Sequence, residues 1–181
     1  MKKKIALHAI CTVICILCAM IICAAQTSLI PHFLNDSYLV PDLLLGLVLS
    51  VGIFAGQAYG ALFGIFAGIL ADSTGGFGIF LLPLLYMLCG YFASVAAELI
   101  PGKKFPVFLA TGVIASIARA VLALVYVALS SGSIPLLDVI RYVCIPLFLG
   151  TLLALPTAYL LGLLMTLPVR NIKHESIDKI L

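Results

Sequence analysis

Charged side chains are scarce in this sequence: Asp, Glu, Lys and Arg make up 9% of its 181 residues. Average soluble domains carry about 25% charged residues, so the composition excludes an ordinary soluble domain. It also excludes a nucleic-acid-binding surface, because the few basic residues form no extended basic patch. With 64% hydrophobic residues and a mean hydropathy of +1.30, the sequence instead indicates a single-domain integral membrane protein.

The sequence also lacks the motifs that mark common enzymes. It contains no Gly-x-Ser-x-Gly turn, no paired intramembrane aspartates, no His-Glu-x-x-His and no phosphate-binding loop. The Ser-Thr-Gly-Gly segment at residues 73–76 has neither the lysine nor the following helix of a nucleotide loop, and it predicts a turn. We therefore expect a protein that is not an enzyme and that uses no cofactor.

Cysteine is present, but not in a pattern that predicts disulfides or metal binding. All six cysteines lie within apolar runs, and we interpret them as small packing residues. Cys11, Cys15 and Cys18 share one helix face, which leaves a soft-metal site as an alternative. No histidine or carboxylate lies among them to complete such a site, so we expect no bound metal.

Uncharged runs predict the membrane spans. Residues 5–25 follow three lysines and are long enough, at about 20 residues, to cross a hydrocarbon core. A cleaved signal peptide is an alternative for this run, because small residues follow at 23–25, although the run exceeds a typical signal-peptide core. Later apolar runs predict spans at residues 79–97, 107–129 and 142–167.

The uncharged stretch at residues 43–71 predicts two short spans rather than one. One helix would be roughly 43 Å long, well beyond a hydrocarbon core of about 30 Å. Two crossings also satisfy the positive-inside rule, with a turn expected at residues 56–59, where glycine frees the backbone. Eight of the ten basic residues are then cytoplasmic: Lys2, Lys3, Lys4, Lys103, Lys104, Arg170, Lys173 and Lys179.

These observations predict an all-α integral membrane protein. We expect a compact bundle of about six transmembrane helices, with both termini inside the cell and with short second and third spans. Residues 1–169 would form a single transmembrane domain, and residues 170–181 a short cytoplasmic tail. On this topology four carboxylates lie at or beyond the outer face: Asp36, Asp42, Asp72 and Asp138.

Glycine recurs at every fourth position from Gly52 to Gly68, and the same spacing then reaches Asp72. Four residues advance a helix by about 400°, so Gly60, Gly64, Gly68 and Asp72 follow one shallow groove. Such a groove allows the close backbone approach that holds helices together in lipid. We therefore predict a helix-packing face, used either within the bundle or against a partner's span.

Arg119 lies near the middle of a predicted span, where a buried charge costs several kcal/mol. We expect it to face the bundle interior and to reach a carboxylate, with Asp42 and Asp72 as the candidates. The charge then serves either as a structural pair between helices or as a site for a ligand or partner. Its helix face carries small residues: Gly112, Ala115, Ser116 and Ala123.

Several of these motifs, taken in order, resemble the rod shape-determining protein MreD family. They are the basic start and first span, the Gln-Thr-Ser-Leu segment at 26–29, the Pro41-Asp42-Leu motif, the glycine run from Gly60 to Asp72, and Gly90-Tyr91. The similarity in order covers nearly the whole chain. Here the phenylalanine that would follow Gly64 lies at Phe66 instead.

The resemblance implies a non-enzymatic, multi-pass scaffold of the cell-elongation (rod) complex in the bacterial cytoplasmic (inner) membrane. Such a protein is involved in cell shape and in peptidoglycan synthesis along the side wall. The implied partners are MreC first, then MreB, RodA and a penicillin-binding transpeptidase through the complex, together with membrane lipid and no nucleic acid. Two features depart from the family: residues 57–59 lack a basic residue, and an arginine at Arg119 is not expected.

The alternative is the substrate-binding S component of an energy-coupling-factor vitamin transporter, which is also a compact bundle of about six helices. Its outward pocket would bind a small vitamin. The sequence has no tryptophan to stack against a ring, and its first span lacks the repeated alanine spacing common in such subunits. Four outer aromatic residues leave this option open: Phe33, Tyr38, Phe77 and Phe80.

Overall fold

The structure, a computed structural model, describes residue 13 and residues 16–26, 42–74, 81–130 and 136–177. In these ranges all regular structure is helical, which confirms the predicted all-α class for this part of the chain. Residues 16–26 form an amino-terminal helical segment. The remaining elements are α1 (Leu43–Ala55), α2 (Gln57–Ser73), α3 (Leu81–Leu99), α4 (Lys104–Ser130), α5 (Leu136–Val139), a π-helical turn (Ile140–Cys144) and α6 (Ile145–Ile177).

Among the described residues, three helices are long and apolar enough to cross a membrane, which indicates a membrane protein. These segments are Leu81–Leu99 in α3, Lys104–Val127 in α4 and Ile145–Leu163 in α6. Helix α1 is apolar but shorter, at about 20 Å for its length. Helix α6 continues through Ile177, so the predicted boundary at residue 169 does not coincide with a helix end.

Some predictions fall on residues outside the described ranges. They include Pro41, Asp36, most of the first half of the predicted first span, and the Gln-Thr-Ser-Leu segment after its first residue. The four aromatic residues that kept the transporter alternative open also lie there: Phe33, Tyr38, Phe77 and Phe80.

Helix α1 is the centre of the bundle. Every residue from Leu44 to Ile53 is buried, as expected for a helix that is apolar on all sides. It packs against α2, α3, α4 and α6. On the α6 side, Ser50 Oγ donates a hydrogen bond to the Ala158 carbonyl oxygen at 3.2 Å, and a Cβ atom at Gly162 would collide with the Ser50 side chain.

The stretch at residues 43–71 folds as two helices, as predicted, and Gly56 separates them. Its φ of 106° and ψ of 174° lie in a region that is essentially restricted to glycine. The expected four-residue turn is shorter than predicted, since α2 already begins at Gln57. Helix α2 folds back along α1 so closely that a Cβ atom on Gly60 would lie 2.7 Å from the Gly52 Cα.

The break at Gly56 lies at the same end of the bundle as the loop between α3 and α4. Gln57 Nε2 donates to Glu98 Oε2 at 2.8 Å, and Lys104 Nζ lies 4.9 Å from the Phe54 ring centroid. We name this the Tyr159 end, because the Tyr159 ring joins α1, α4 and α6 there. The distances from its ring centroid to those of Phe54, Phe105 and Phe108 are 5.4, 5.1 and 5.0 Å.

The glycine face of α2 packs against α3 inside the bundle. A Cβ atom at Gly60 would lie 2.7 Å from the Gly90 carbonyl oxygen, and one at Gly64 would lie 2.8 Å from the Met87 Cα. Backbones approach this closely only where one of the two helices presents no side chain at the contact. The structure therefore uses Gly60, Gly64 and Gly68 for contacts within the bundle.

We predict that Gly64→Leu strongly destabilises the protein. The new side chain would overlap the backbone of α3, which cannot move aside as a flexible side chain can. Overpacking in a core typically costs about 1–3 kcal/mol, and a backbone contact places this variant at or above the top of that range. Thermal unfolding in detergent micelles measures the effect.

The control is Ala58→Leu, which adds the same side chain on the exposed side of the same helix. It should unfold at nearly the wild-type temperature. Equal unfolding temperatures for the two leucine variants would contradict the close packing of α2 on α3.

Candidate functional site

A buried polar cluster joins three helices. Asp42 lies at the start of α1, Tyr86 on α3 and Arg119 on α4. Asp42 is 2% exposed and Tyr86 is fully buried, while the Arg119 side chain is 14% exposed. We name these three residues the polar triad.

Asp42 occupies the N-cap position of α1 and uses both carboxylate oxygens. Oδ1 accepts a hydrogen bond from the Leu45 backbone N–H at 3.0 Å, which satisfies a donor that the first turn of a helix leaves unpaired. Oδ2 accepts a hydrogen bond from the Tyr86 hydroxyl at 2.5 Å and forms an ion pair with Arg119 Nη1. One side chain therefore both begins α1 and binds α3 and α4.

Arg119 faces the bundle interior, as its small neighbours predict. Its Nη1 donates to the Tyr86 hydroxyl oxygen at 2.5 Å, and its guanidinium carbon lies 5.7 Å from the Tyr86 ring centroid. Ala115, Ser116 and Ala123 on the same face of α4 are buried. The Arg119 Nε is buried without a hydrogen-bond partner among the described residues.

Of the two carboxylates predicted as partners of Arg119, the ion pair in the structure uses Asp42. The Asp42 side chain is buried within the protein, while its predicted place at or beyond the outer face of the membrane stays a prediction. The side chain is drawn inside by the helix cap and by the positive charge of Arg119. Asp72 is half-buried on α2, close to its carboxyl end.

Tyr86 is the residue of the site that the sequence reasoning missed. A tyrosine within an apolar run resembles an ordinary core aromatic residue. The available signal was its hydroxyl group, which requires a hydrogen-bond partner when the ring is buried. Tyr86 also connects the triad to the glycine face, since a Cβ atom at Gly64 would lie 2.7 Å from the Tyr86 carbonyl carbon.

Arg119 lies inside the α4 segment that is long and apolar enough to cross a membrane. Arg119 is fifteen residues beyond Lys104, or about 22 Å along α4, and Asp42 is about 20 Å along α1 from Gly56. Both distances start at the Tyr159 end and are shorter than a hydrocarbon core of about 30 Å. At such a depth an isolated charge is costly, and pairing the two charges offsets much of that cost.

The triad is arranged as a link between helices. Both oxygens of the Asp42 carboxylate are engaged, and the Tyr86 hydroxyl both donates and accepts a hydrogen bond. In the described part of the chain, no group of three or more His, Cys, Asp or Glu residues could hold a metal ion. Among the described residues, Cys18, Cys23, Cys89 and Cys144 are not joined in disulfide bonds; Cys11 and Cys15 lie outside the described ranges.

An open apolar cavity of about 420 Å³ lies between α4 and the start of α6. Cys144 lies at its wall and donates its thiol hydrogen to the Ala120 carbonyl oxygen across 3.5 Å. We name this cavity the lateral groove. It is lined by Ile117, Ala120, Val121, Leu124, Ile140, Cys144, Ile145, Phe148 and Leu149.

No protein-family model, no curated protein and no solved structure matches the chain. The support for a function therefore comes from the chain's own motifs and contacts.

We predict that the two charges of the triad are energetically coupled. Asp42→Asn keeps a residue that caps helices well but removes the negative charge. It should lower the free energy of unfolding by about 3–5 kcal/mol, because Arg119 is left buried without its counter-charge. Arg119→Met should cost a similar amount, because it leaves the Asp42 charge uncompensated.

The double variant Asp42→Asn/Arg119→Met should be more stable than the sum of the two single losses predicts, since neither charge then remains. Chemical or thermal unfolding of all four proteins in the same detergent measures this double-mutant cycle. Strictly additive losses would show that the ion pair contributes no coupling energy.

Proposed function

We propose that the protein is a non-enzymatic inner-membrane scaffold of the bacterial cell-elongation complex, the role implied by its resemblance to the MreD family. The observation that carries this proposal is that two motifs resembling the family both contact Tyr86 of α3. Asp42 of the Pro-Asp-Leu motif binds the Tyr86 hydroxyl, and Gly64 of the glycine run packs against the Tyr86 backbone. The residues that carry the resemblance thus build one core.

A scaffold acts by presenting a fixed surface to its partners. Since the glycine face is buried against α3, the proposed contact with MreC uses outward faces of the bundle. Helix α2 offers one such face, on the side opposite its glycines, where four large residues are exposed: Tyr59, Leu62, Ile65 and Ile69. MreB, RodA and the penicillin-binding transpeptidase would join through the complex.

The proposed topology has six crossings with both termini in the cytoplasm. It is supported by the location of the α1–α2 break beside Glu98 and Lys104. The α1–α2 break and the α3–α4 loop then lie on the same side of the membrane, as six crossings require. Helix α1 is short for a full crossing. The polar triad accounts for this, since it allows the helix to begin below the membrane surface with its cap satisfied inside the protein.

The topology predicts opposite locations for two loops. A green fluorescent protein fused after Gly102 should fluoresce, and an alkaline phosphatase fused after Ser133 should be active, because they would lie in the cytoplasm and outside the membrane respectively. The exchanged fusions serve as controls and should be inactive. An active phosphatase after Gly102 would contradict the proposed orientation.

The vitamin-transporter alternative requires a pocket with polar groups that orient a small ligand. The lateral groove is lined by aliphatic and aromatic side chains and by Cys144, whose thiol already bonds a backbone carbonyl. The polar triad engages its carboxylate and hydroxyl within the protein. These contacts favour the scaffold over the transporter subunit.

Depletion of the protein in its native host should produce rounded, widened cells that no vitamin in the medium corrects, because a lost scaffold cannot be replaced by a nutrient. Cell width measured by microscopy is the readout. Expression of Ala58→Leu should restore the rod shape, whereas Gly64→Leu should not, because only the latter overlaps the α3 backbone. Normal shape with a growth defect cured by one vitamin would overturn the proposal in favour of the transporter subunit.

A further inference from the structure

The lateral groove has the depth of one membrane leaflet. Along the chain it extends from Ile140 to Leu149, which is about 14 Å of helix, close to half of a hydrocarbon core of about 30 Å. Arg141 lies about 27 Å along the same helical rod from Tyr159. On the proposed topology, the groove therefore begins near the membrane boundary opposite the Tyr159 end and runs toward the middle of the membrane.

The walls of the groove select an apolar occupant. Its lining is aliphatic or aromatic except for Cys144, and that thiol donates to the Ala120 carbonyl oxygen. A polar ligand would lose its hydrogen bonds to water without replacing them. A hydrocarbon chain loses none, and lipid chains surround the groove wherever it opens to the side.

Two opposite charges flank the lining residue Ile140 along the chain. Asp138 and Arg141 are both exposed, and their spacing of three residues puts them on one side of the helical segment. Arg141 follows directly after the lining residue Ile140. A guanidinium binds phosphate oxygens well, and a carboxylate accepts hydrogen bonds from an ammonium group.

From this arrangement we infer that the lateral groove is a binding site for an aminophospholipid. One acyl chain lies between α4 and α6, the phosphate binds Arg141, and the primary ammonium group binds Asp138. A zwitterionic headgroup matches the paired charges, whereas the neutral glycerol of phosphatidylglycerol offers Asp138 no positive group. The site is independent of the proposed role in cell elongation.

Native mass spectrometry of the full-length protein in mild detergent tests the groove. The probes are phosphatidylethanolamine and phosphatidylglycerol with identical chains. Leu149→Trp and Val121→Trp should each lower retained phosphatidylethanolamine at least about fivefold, because the indole fills the groove. The matched controls are Leu153→Trp and Val125→Trp, one turn further along α6 and α4 and outside the groove lining; both should retain the lipid.

The headgroup assignment makes a separate prediction. Asp138→Asn should weaken retention of phosphatidylethanolamine and leave phosphatidylglycerol unchanged, so that the preference between the two lipids is lost. Arg141→Gln should weaken the retention of both lipids, because both contain the phosphate. Equal retention by the groove-filling variants and their controls would overturn the site, and an unchanged lipid preference in Asp138→Asn would overturn the aminophospholipid.

A protein occupant would give a different result. If Val121→Cys forms crosslinks in native membranes to another protein's span while Val125→Cys does not, a partner helix fills the groove and the lipid site is refuted. Retention of lipid phosphorus by the purified wild-type protein, lost in Leu149→Trp, supports the lipid.

Discussion

The ion pair between Asp42 and Arg119 is the constraint on which the rest of the bundle depends. Each charge alone would be costly at this depth, and each lies where α1 and α4 meet α3 through the Tyr86 hydroxyl. The pair fixes the position of α1 along the axis of α4. It also allows a helix of about 20 Å to lie wholly inside the protein, because its first turn is capped by a carboxylate that needs no water.

Small residues allow the helices to pack closely around α1. Helices α2 and α3 approach each other at glycines, and α6 approaches Ser50 of α1 at Gly162. In lipid, where apolar side chains gain little from leaving their surroundings, such backbone contact is a main source of helix association. The charges therefore set the register of the helices, and the glycines set their separation.

Much of this could be predicted because the relevant residues are rare in the sequence. With few charges available, Arg119 had only two candidate partners, and charge distribution together with Gly56 predicted the break in the stretch at residues 43–71. The choice of Asp42 over Asp72 could not be predicted, since it depends on how far each helix is shifted along its axis. The sequence did not predict the role of Tyr86 or the lateral groove, because both depend on contacts between residues distant in the chain. The Tyr86 hydroxyl binds Asp42, and the groove forms where the π-helical turn packs beside α4.

The separation of Asp42 and Arg119 along the chain also has a consequence for biosynthesis. Asp42 leaves the ribosome before α2, α3 and most of α4 have been made, so the nascent α1 carries a carboxylate whose counter-charge does not yet exist. Until Arg119 has been synthesised, the states of lowest free energy for that segment keep the carboxylate at the water interface. We therefore expect the bundle to close around α1 only after α4 has been translated.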